Sequence, residues 1–419
     1  MGVKPRKRAS GTAYFLQVAF GGEVLPIDPA HLRGMTINMD LNEFLPSFRF
    51  KIEDSGSALS TALPIGSLTS SIAIQLGRDN GIEDTTKFEF DVYRRFPSSS
   101  NIFDIEGLLK SGKLFAPNII KGYPGSIYES LESIASDLGA DEVEISASLK
   151  YEKCLVQPNW TNKIFLEYLK NNLIGKTNES GFYCFIKCVN QKKVFVFKSL
   201  NDFITAPYKY SFTDSKTNLV SQPLSGKDEL LNPIINYKVF DNIKLLTASG
   251  SRVQNFTYFD FDNSELVSDS VGLSDLSMAL THRYMVSDDA TDIDNVSIDN
   301  NGRGSSSTSD FKSKALNRFS KKINNLSRIM ITTLGLEDIY PGDTVRLLFM
   351  YGDAGRADFV SQFQGFWLVE RITHICGTNF YTQLTLMRCG IDESPIFDDL
   401  GVTGLAKTQT SESGIMKRT

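Results

Sequence analysis

The stretch Leu334-Gly335-Leu336-Glu337-Asp338-Ile339-Tyr340-Pro341-Gly342-Asp343-Thr344-Val345 reads as a tight turn leading into a strand. Proline fixes φ and glycine tolerates positive φ, so Pro341-Gly342 suits the middle of such a turn. Apolar and polar residues alternate on either side of it. Strands are expected from Ile329 to Leu334, Thr344 to Met350, Gly365 to His374 and Phe380 to Arg388. Period-two alternation is the mark of a half-buried strand.

The same alternation recurs near the start of the chain, in Ile37-Asn38-Met39-Asp40-Leu41, Phe48-Arg49-Phe50-Lys51-Ile52, Ser71 to Leu76 and Phe88 to Tyr93. Short strands separated by turns point to a small barrel or sandwich. Between the two β regions the period changes. Ser126-Ile127-Tyr128-Glu129 is a capping box, and Ile127, Leu131, Ile134 and Leu138 share one helical face ahead of Gly139. A second helix starts near Thr161 or Asn162 and is expected to stop at Gly175. Strands Phe182 to Val189 and Val194 to Lys198 follow as a hairpin. Residues 286–310, acidic and then rich in Ser and Gly, read as a mobile loop. A helix-like stretch runs from Lys312 to Leu326.

The 419 residues leave room for roughly two to four domains. A net charge of −5 argues against a general nucleic-acid binder, whose surface is basic. Five irregularly spaced cysteines do not make a disulfide framework. No apolar run reaches the ~18 residues of a membrane helix. Lys4, Arg6, Lys7 and Arg8 precede the apolar segment Ala13 to Phe20, which reads as a first strand after a solvated basic tail rather than as a secretion signal.

Signals for chemistry are sparse. His31, His282 and His374 are far apart, and His374 sits in a strand-like alternation. Cys184 and Cys188 read as a pair of half-buried thiols on one strand face. Gly175-Lys176-Thr177 imitates the end of a phosphate loop, but Lys170 stands where its first glycine belongs. Ser297, Asp299, Asn301 and Gly302 imitate a calcium loop whose twelfth position would be Thr308 rather than Glu. No catalytic, cofactor-binding or metal-binding residue is assigned. A glycosidase carboxylate pair is judged by separation in space and stays open.

The C-terminal pattern, with Gly365-Phe366-Trp367-Leu368-Val369-Glu370-Arg371-Ile372-Thr373-His374 and Tyr381-Thr382-Gln383-Leu384-Thr385-Leu386-Met387-Arg388, resembles the second barrel of the baseplate hub proteins of contractile-tailed phages. It is also similar to the hub half of the type VI secretion spike protein. Lys198 to Asp202 and Phe50 to Asp54 resemble the family's second domain and first barrel. The resemblance implies a mainly β, α+β fold of two similar antiparallel barrels with a small α+β domain between them. Its parts would be a basic tail (1–11), a first barrel (12–117), an α+β domain (118–202), the second barrel (203–245 and 325–395) around an insertion with the acidic mobile loop (246–324), and a polar tail (396–419). Pro341, Gly342, Asp343, Gly365, Trp367, His374 and Tyr381 become candidate structural residues.

The implied protein is a non-enzymatic homotrimer in the tail baseplate of a virion, assembled in the host cytoplasm without cofactors. Its two barrels per chain would match a sixfold tube to a threefold spike. Implied partners are the central spike, the tail tube or tube initiator, wedge proteins and, as a further candidate, the tape-measure protein; membrane and specific nucleic acid are not among them. A tail-associated cell-wall hydrolase and a β-rich glycan-binding tail protein are the alternatives.

Overall fold

The computed structural model describes residues 14–20, 23–25, 32–54, 71–78, 86–99, 101–117, 119–146, 149, 155–175, 179–214, 231–240, 253–260, 263–272, 293–297, 308–324, 327–348, 363–377 and 379–388. The N-terminal region supplies seven strands: β1 (Tyr14–Phe20), β2 (Glu23–Leu25), β3 (Leu32–Asp40), β4 (Ser47–Glu53), β5 (Ser71–Arg78), β6 (Thr86–Ser99) and β7 (Ile102–Leu109). They lie in the order β3-β4-β7-β6-β5-β1-β2, each pair antiparallel. Alternate residues Phe48, Phe50 and Ile52 of β4 are buried while Arg49 and Lys51 face water, as the sequence alternation requires.

The middle unit opens with β8 (Ile119–Tyr123) and helix α1 (Ile127–Asp137). The Ser126 and Glu129 side chains cap each other's backbone N–H groups. Gly139, at φ 75°, ends the helix, with Gly139 N–H on Ser136 O and Ala140 N–H on Ala135 O. Strands β9 (Glu142–Ile145) and β10 (Leu155–Trp160) lead to α2 (Asn162–Asn172), capped by Thr161. This helix ends at Leu173 in extended backbone, so Gly175 is not its cap. Gly175 instead forms a bridge to Leu149 and lies so close to Glu179 that a Cβ there would sit 2.6 Å from its side chain. The hairpin β11 (Tyr183–Val189) and β12 (Lys192–Lys198) turns through Asn190 at φ 55°. A six-residue helix, α3 (Leu200–Thr205), follows, started by a Ser199–Asp202 capping box.

The C-terminal strands begin with β13 (Tyr210–Thr213) and β14 (Leu231–Val239). Next come β15 (Val253–Asp260), β16 (Glu265–Gly272) and β17 (Ile293–Ser297), which form a separate three-stranded sheet, and then α4 (Thr308–Asn324). The acidic stretch expected as a mobile loop therefore contains a strand. Parallel backbone pairing with β15 along one side holds it in place. The rest of residues 286–307, and the basic and polar tails, lie outside the described residues.

Strands β18 (Ser327–Leu334), β19 (Thr344–Leu348), β20 (Gly365–Cys376) and β21 (Phe380–Arg388) complete the ladder. The order β13-β14-β18-β21-β20-β19 closes on itself, because β19 bonds to both β20 and β13. The result is a six-stranded barrel. It is not wholly antiparallel, since β13 runs parallel to both β14 and β19. Val345, Leu347, Trp367, Val369 and Leu384 belong to the main core, which runs on through Ile37, Met39, Phe48 and Phe50 of the N-terminal region. Leu368, expected to point inward, is buried on the opposite face among Met387, Phe203 and Phe319. Its neighbours Trp367 and Val369 already occupy the inner positions, and the pleat turns Leu368 outward under the helices.

The turn that opens β19 is built as its sequence suggests. Asp343 N–H donates to Tyr340 O at 3.0 Å, and Gly342 has φ 87°. Gly342 N–H donates to Val369 O, and Val369 N–H to Asp343 O, both at 2.9 Å, which ties the turn to β20. A Cβ on Gly342 would lie 2.5 Å from Phe203. Gly342→Ala is expected to destabilise the protein by ~1–3 kcal/mol, from strained backbone and a displaced Phe203 ring. Urea denaturation checks this, and an unchanged midpoint would show that the turn tolerates a side chain.

Candidate functional site

The candidate site is the place where the two β regions meet. Strand β20 outlasts its barrel neighbour. It pairs with β19 only over Gly365–Leu368, and β3 occupies the vacated edge from Arg371 to Cys376. The pairing is antiparallel, with Arg371 opposite Asp40, Thr373 opposite Asn38 and Cys376 opposite Met35. Among the described residues, one continuous sheet of 13 strands results.

Polar side chains fix the register of this joint. Arg371 Nε donates to Asp40 Oδ2 at 2.6 Å, and the Asn42 backbone N–H donates to Asp40 Oδ1 at 2.8 Å. Thr373 Oγ1 donates to Asn38 Oδ1 at 2.8 Å. Leu41 N–H reaches Glu370 O at 2.8 Å. The Glu370 carboxylate accepts from Arg328 at 2.6 Å and from Asn42 Nδ2 at 3.3 Å. Burial raises the Glu370 pKa, and the Arg328 guanidinium opposes that rise.

The two β regions are also equivalent strand by strand. In chain order β3, β4, β5, β6 and β7 correspond to β14, β18, β19, β20 and β21, and both sets lie in the sheet as first, second, last, fourth and middle members of one five-stranded antiparallel ladder. The registers match as well. The pair Thr344–Leu368 answers to Ser71–Asp91, Arg371–Thr385 to Arg94–Glu106, Met330–Thr385 to Arg49–Glu106, and Lys238–Met330 to Thr36–Arg49. Two bulges coincide, while a further one in β6, between Pro97 and Ser99, has no counterpart in β20. Glu370 bulges from β20 where Tyr93 bulges from β6, and Ile235 bulges from β14 where Arg33 bulges from β3. Such bulges re-aim a strand and are designed features of a ladder. The first strands differ: β1 runs antiparallel to β5, whereas β13 runs parallel to β19.

The candidate structural residues are distributed along this ladder and do not gather into one cluster. Pro341, Gly342 and Asp343 form the turn, where burial raises the Asp343 carboxyl pKa against the pull of Lys209 at 3.2 Å. Gly365, at φ 112°, opens β20. Trp367 is buried, with its Nε1 on Phe363 O at 2.8 Å and the Arg388 guanidinium 4.1 Å from its ring centre. Tyr381 is half-buried and its hydroxyl accepts from Asn379 at 3.3 Å. His374 stands in the joint itself, opposite Ile37, with Nδ1 3.2 Å from Thr382 Oγ1. Asp40, Glu370 and Arg371, which make the joint's polar network, carry no sequence signal beyond ordinary strand alternation.

The remaining candidates do not assemble into chemistry. Cys184 and Cys188 are fully rather than half buried, because β11 is covered on both faces, and burial pushes Cys188 up to about 12. Ser297 ends β17 and Thr308 begins α4, while Asp299, Asn301 and Gly302 lie outside the described residues, as do His31, His282, Lys176 and Thr177. Among the described residues no three His, Cys, Asp or Glu side chains come together as a metal site.

Two predictions follow from the joint's chemistry. Burial lowers the His374 pKa from 6.5 to about 4. Between these values the unfolded chain binds a proton that the folded chain refuses, so stability that is full above pH 6.5 is lost as pH falls toward 4. The loss relative to His374→Gln is expected to reach up to ~3 kcal/mol. Asp343 and Glu370, whose pKa values are raised, act in the opposite sense and cancel in that comparison. Parallel pH profiles for the two proteins would contradict it. For Asp40 and Arg371, a double-mutant cycle to Ala is expected to give ~1 kcal/mol of coupling; the Arg371 side chain is 58% exposed, which limits the value. A coupling of zero would mean that backbone pairing alone holds the register.

No family model matches the sequence, and a search of curated proteins finds no relative. Solved structures do match. A tail protein from Neisseria meningitidis MC58 is similar with a TM-score of 0.58 and 13% identity, covering 90% of this chain and 97% of that one. The 43 kDa tail protein of prophage MuSo2 from Shewanella oneidensis is similar with a TM-score of 0.55 and 9% identity, covering 91% of this chain and 100% of that one. Over nine-tenths of its length, the chain has the fold of these tail proteins, as the resemblance read from its sequence implies.

Proposed function

We propose that this protein is the hub of a contractile tail: a trimeric ring that joins a sixfold tube to a threefold spike, working by assembly rather than by catalysis. The observation that carries this reading is the duplicated ladder. One chain contains two equivalent five-stranded units, matched in order, in register and in two bulges, and bonded edge to edge through β3 and β20. Three copies of such a chain present six equivalent units while keeping threefold symmetry. A tube of six subunits then meets six similar surfaces, and a three-chain spike meets three identical chains. Closed cyclic rings are the usual outcome when one interface repeats head to tail.

The fold shared with the two tail proteins supports a place in a tail. The central spike, the tube or its initiator, wedge proteins and the tape-measure protein are the proposed partners, with the virion baseplate as the location and the host cytoplasm as the place of assembly. The domain division expected from the sequence is proposed with it, as two barrels flanking the α+β unit and an insertion. Native mass spectrometry of the full chain with its spike partner is expected to give three copies of each. A stable complex of one or two hub chains would sink the proposal.

A further inference from the structure

Helix α4 is seated on the α+β unit by side chains one turn apart. Asn317 Nδ2 donates to Leu173 O at 2.7 Å, and Gly181 N–H donates to Asn317 Oδ1 at 3.1 Å. Lys321 lies four residues on, so it shares that side of the helix. Gly181, at φ 72°, allows so close an approach that a Cβ there would lie 2.9 Å from Ser320 Oγ and 3.6 Å from Lys321 Cγ. The Lys321 stem is therefore held between the two elements. Its Nζ sits 5.2 Å from the centre of the Tyr183 ring.

This seat does not suit a charge. Lys170 and Glu167 face it from α2, and Tyr183 and Cys184 from β11. Burial raises the pKa values of both Tyr183 and Cys184, so both stay neutral and neither supplies a counter-ion. Glu167 lies 3.7 Å from Lys170, which also has the Phe44 ring at 5.3 Å. No such partner remains for Lys321: among the described residues no carboxylate comes within ion-pairing distance of it. Charged groups on the strands packed against α4 are engaged elsewhere, Asp269 of β16 with Ser270 N–H at 2.7 Å and Arg388 of β21 with Gln364 O at 2.8 Å.

Two amines thus share a dry place that holds one carboxylate. Burying an unpaired charge is costly, and a second cation beside it adds to the cost, so the amine without a counter-ion gives up its proton. Burial first, and Lys170 second, lower the Lys321 pKa from 10.5 to about 7. A desolvated amine next to another cation is the arrangement that turns lysine into a nucleophile. We infer that Lys321 is a nucleophilic amine, a modification site that small activated acyl groups (acyl phosphates, thioesters and anhydrides) take ahead of the chain's surface lysines. Its nitrogen attacks the acyl carbonyl carbon. A C–N bond forms, the bond from that carbon to the leaving oxygen or sulfur breaks with its electron pair, and the proton on nitrogen passes to water. Lys321 is half-buried, which limits the site to small reagents.

The test is competitive labelling of the full chain with a trace of acetic anhydride, at intervals from about pH 6 to about pH 10, followed by unfolding and complete acetylation with the heavy-isotope reagent. Tandem mass spectrometry then gives the reactivity of each lysine and separates Lys321 from Lys322. At neutral pH Lys321 is expected to react about tenfold faster than the exposed Lys113 and Lys192, and to level off above about pH 8 while they climb toward about pH 10. A Lys321 profile that follows the exposed lysines, or labelling of Lys321 only after unfolding in urea, overturns the inference. Two variants test the cause. Lys170→Gln removes the neighbouring charge and is expected to cut Lys321 labelling at neutral pH several-fold, with its plateau moved to higher pH. Lys170→Arg keeps the charge and is expected to keep the wild-type profile. An unchanged profile in Lys170→Gln, or the same loss in both variants, would contradict activation by the neighbouring cation.

Discussion

The antiparallel bonding of β20 to β3 is the constraint on which the rest of the structure depends. A barrel strand that outlasts its neighbour leaves a row of backbone N–H and C=O groups without partners, and such an edge binds whatever strand is offered. Here the strand on offer comes from the other end of the same chain, so the edge is satisfied internally and two β regions become one sheet. The α+β unit is packed against this sheet. Phe44, just after β3, lies with its carbonyl on Ile186 N–H and its ring 5.3 Å from Lys170 of α2. Loss of the joint would therefore loosen the middle unit as well as the two β regions.

Duplication survives in the register where it has faded from the residues. The ladder demands alternation, a fixed pairing register and bulges at fixed places, and many sequences meet those demands. The two copies of the bulged strand share little more than Val92-Tyr93-Arg94 and Val369-Glu370-Arg371. The first strands could diverge because they enter from different directions. Strand β1 reaches its unit from the N-terminal tail, whereas β13 arrives from the α+β unit through α3 and enters alongside β19. That leaves the five-stranded core as the shared part.

Local periodicity made most strands legible in the sequence, and the capping box at Ser126 and the Pro341-Gly342 turn carried their own chemistry. What stayed hidden was non-local. Nothing in Asp40 or Arg371 tells which strand each will face, because pairing across the chain follows from packing and not from period. Leu368 shows the same limit: its alternation was plain, but the covering of the barrel's outer face by Phe203 and Phe319 made both faces of β20 apolar. The strand at Ile293–Ser297 was hidden because its acidic composition suggests no core, while its stability comes from backbone pairing to β15. The short helix α3 had a readable start in Ser199 and Asp202, but six residues are too few for a helical stripe to stand out.

A ring built from two equivalent units per chain makes one geometric demand: both units of every chain must lie at the same height around a common axis. Electron cryomicroscopy of the protein assembled with its proposed spike partner measures this directly. Six barrels at about 60° intervals in one layer is the predicted result. Barrels of one chain stacked at different heights along the axis, or a layer holding three barrels, would contradict the symmetry match on which the proposed function rests.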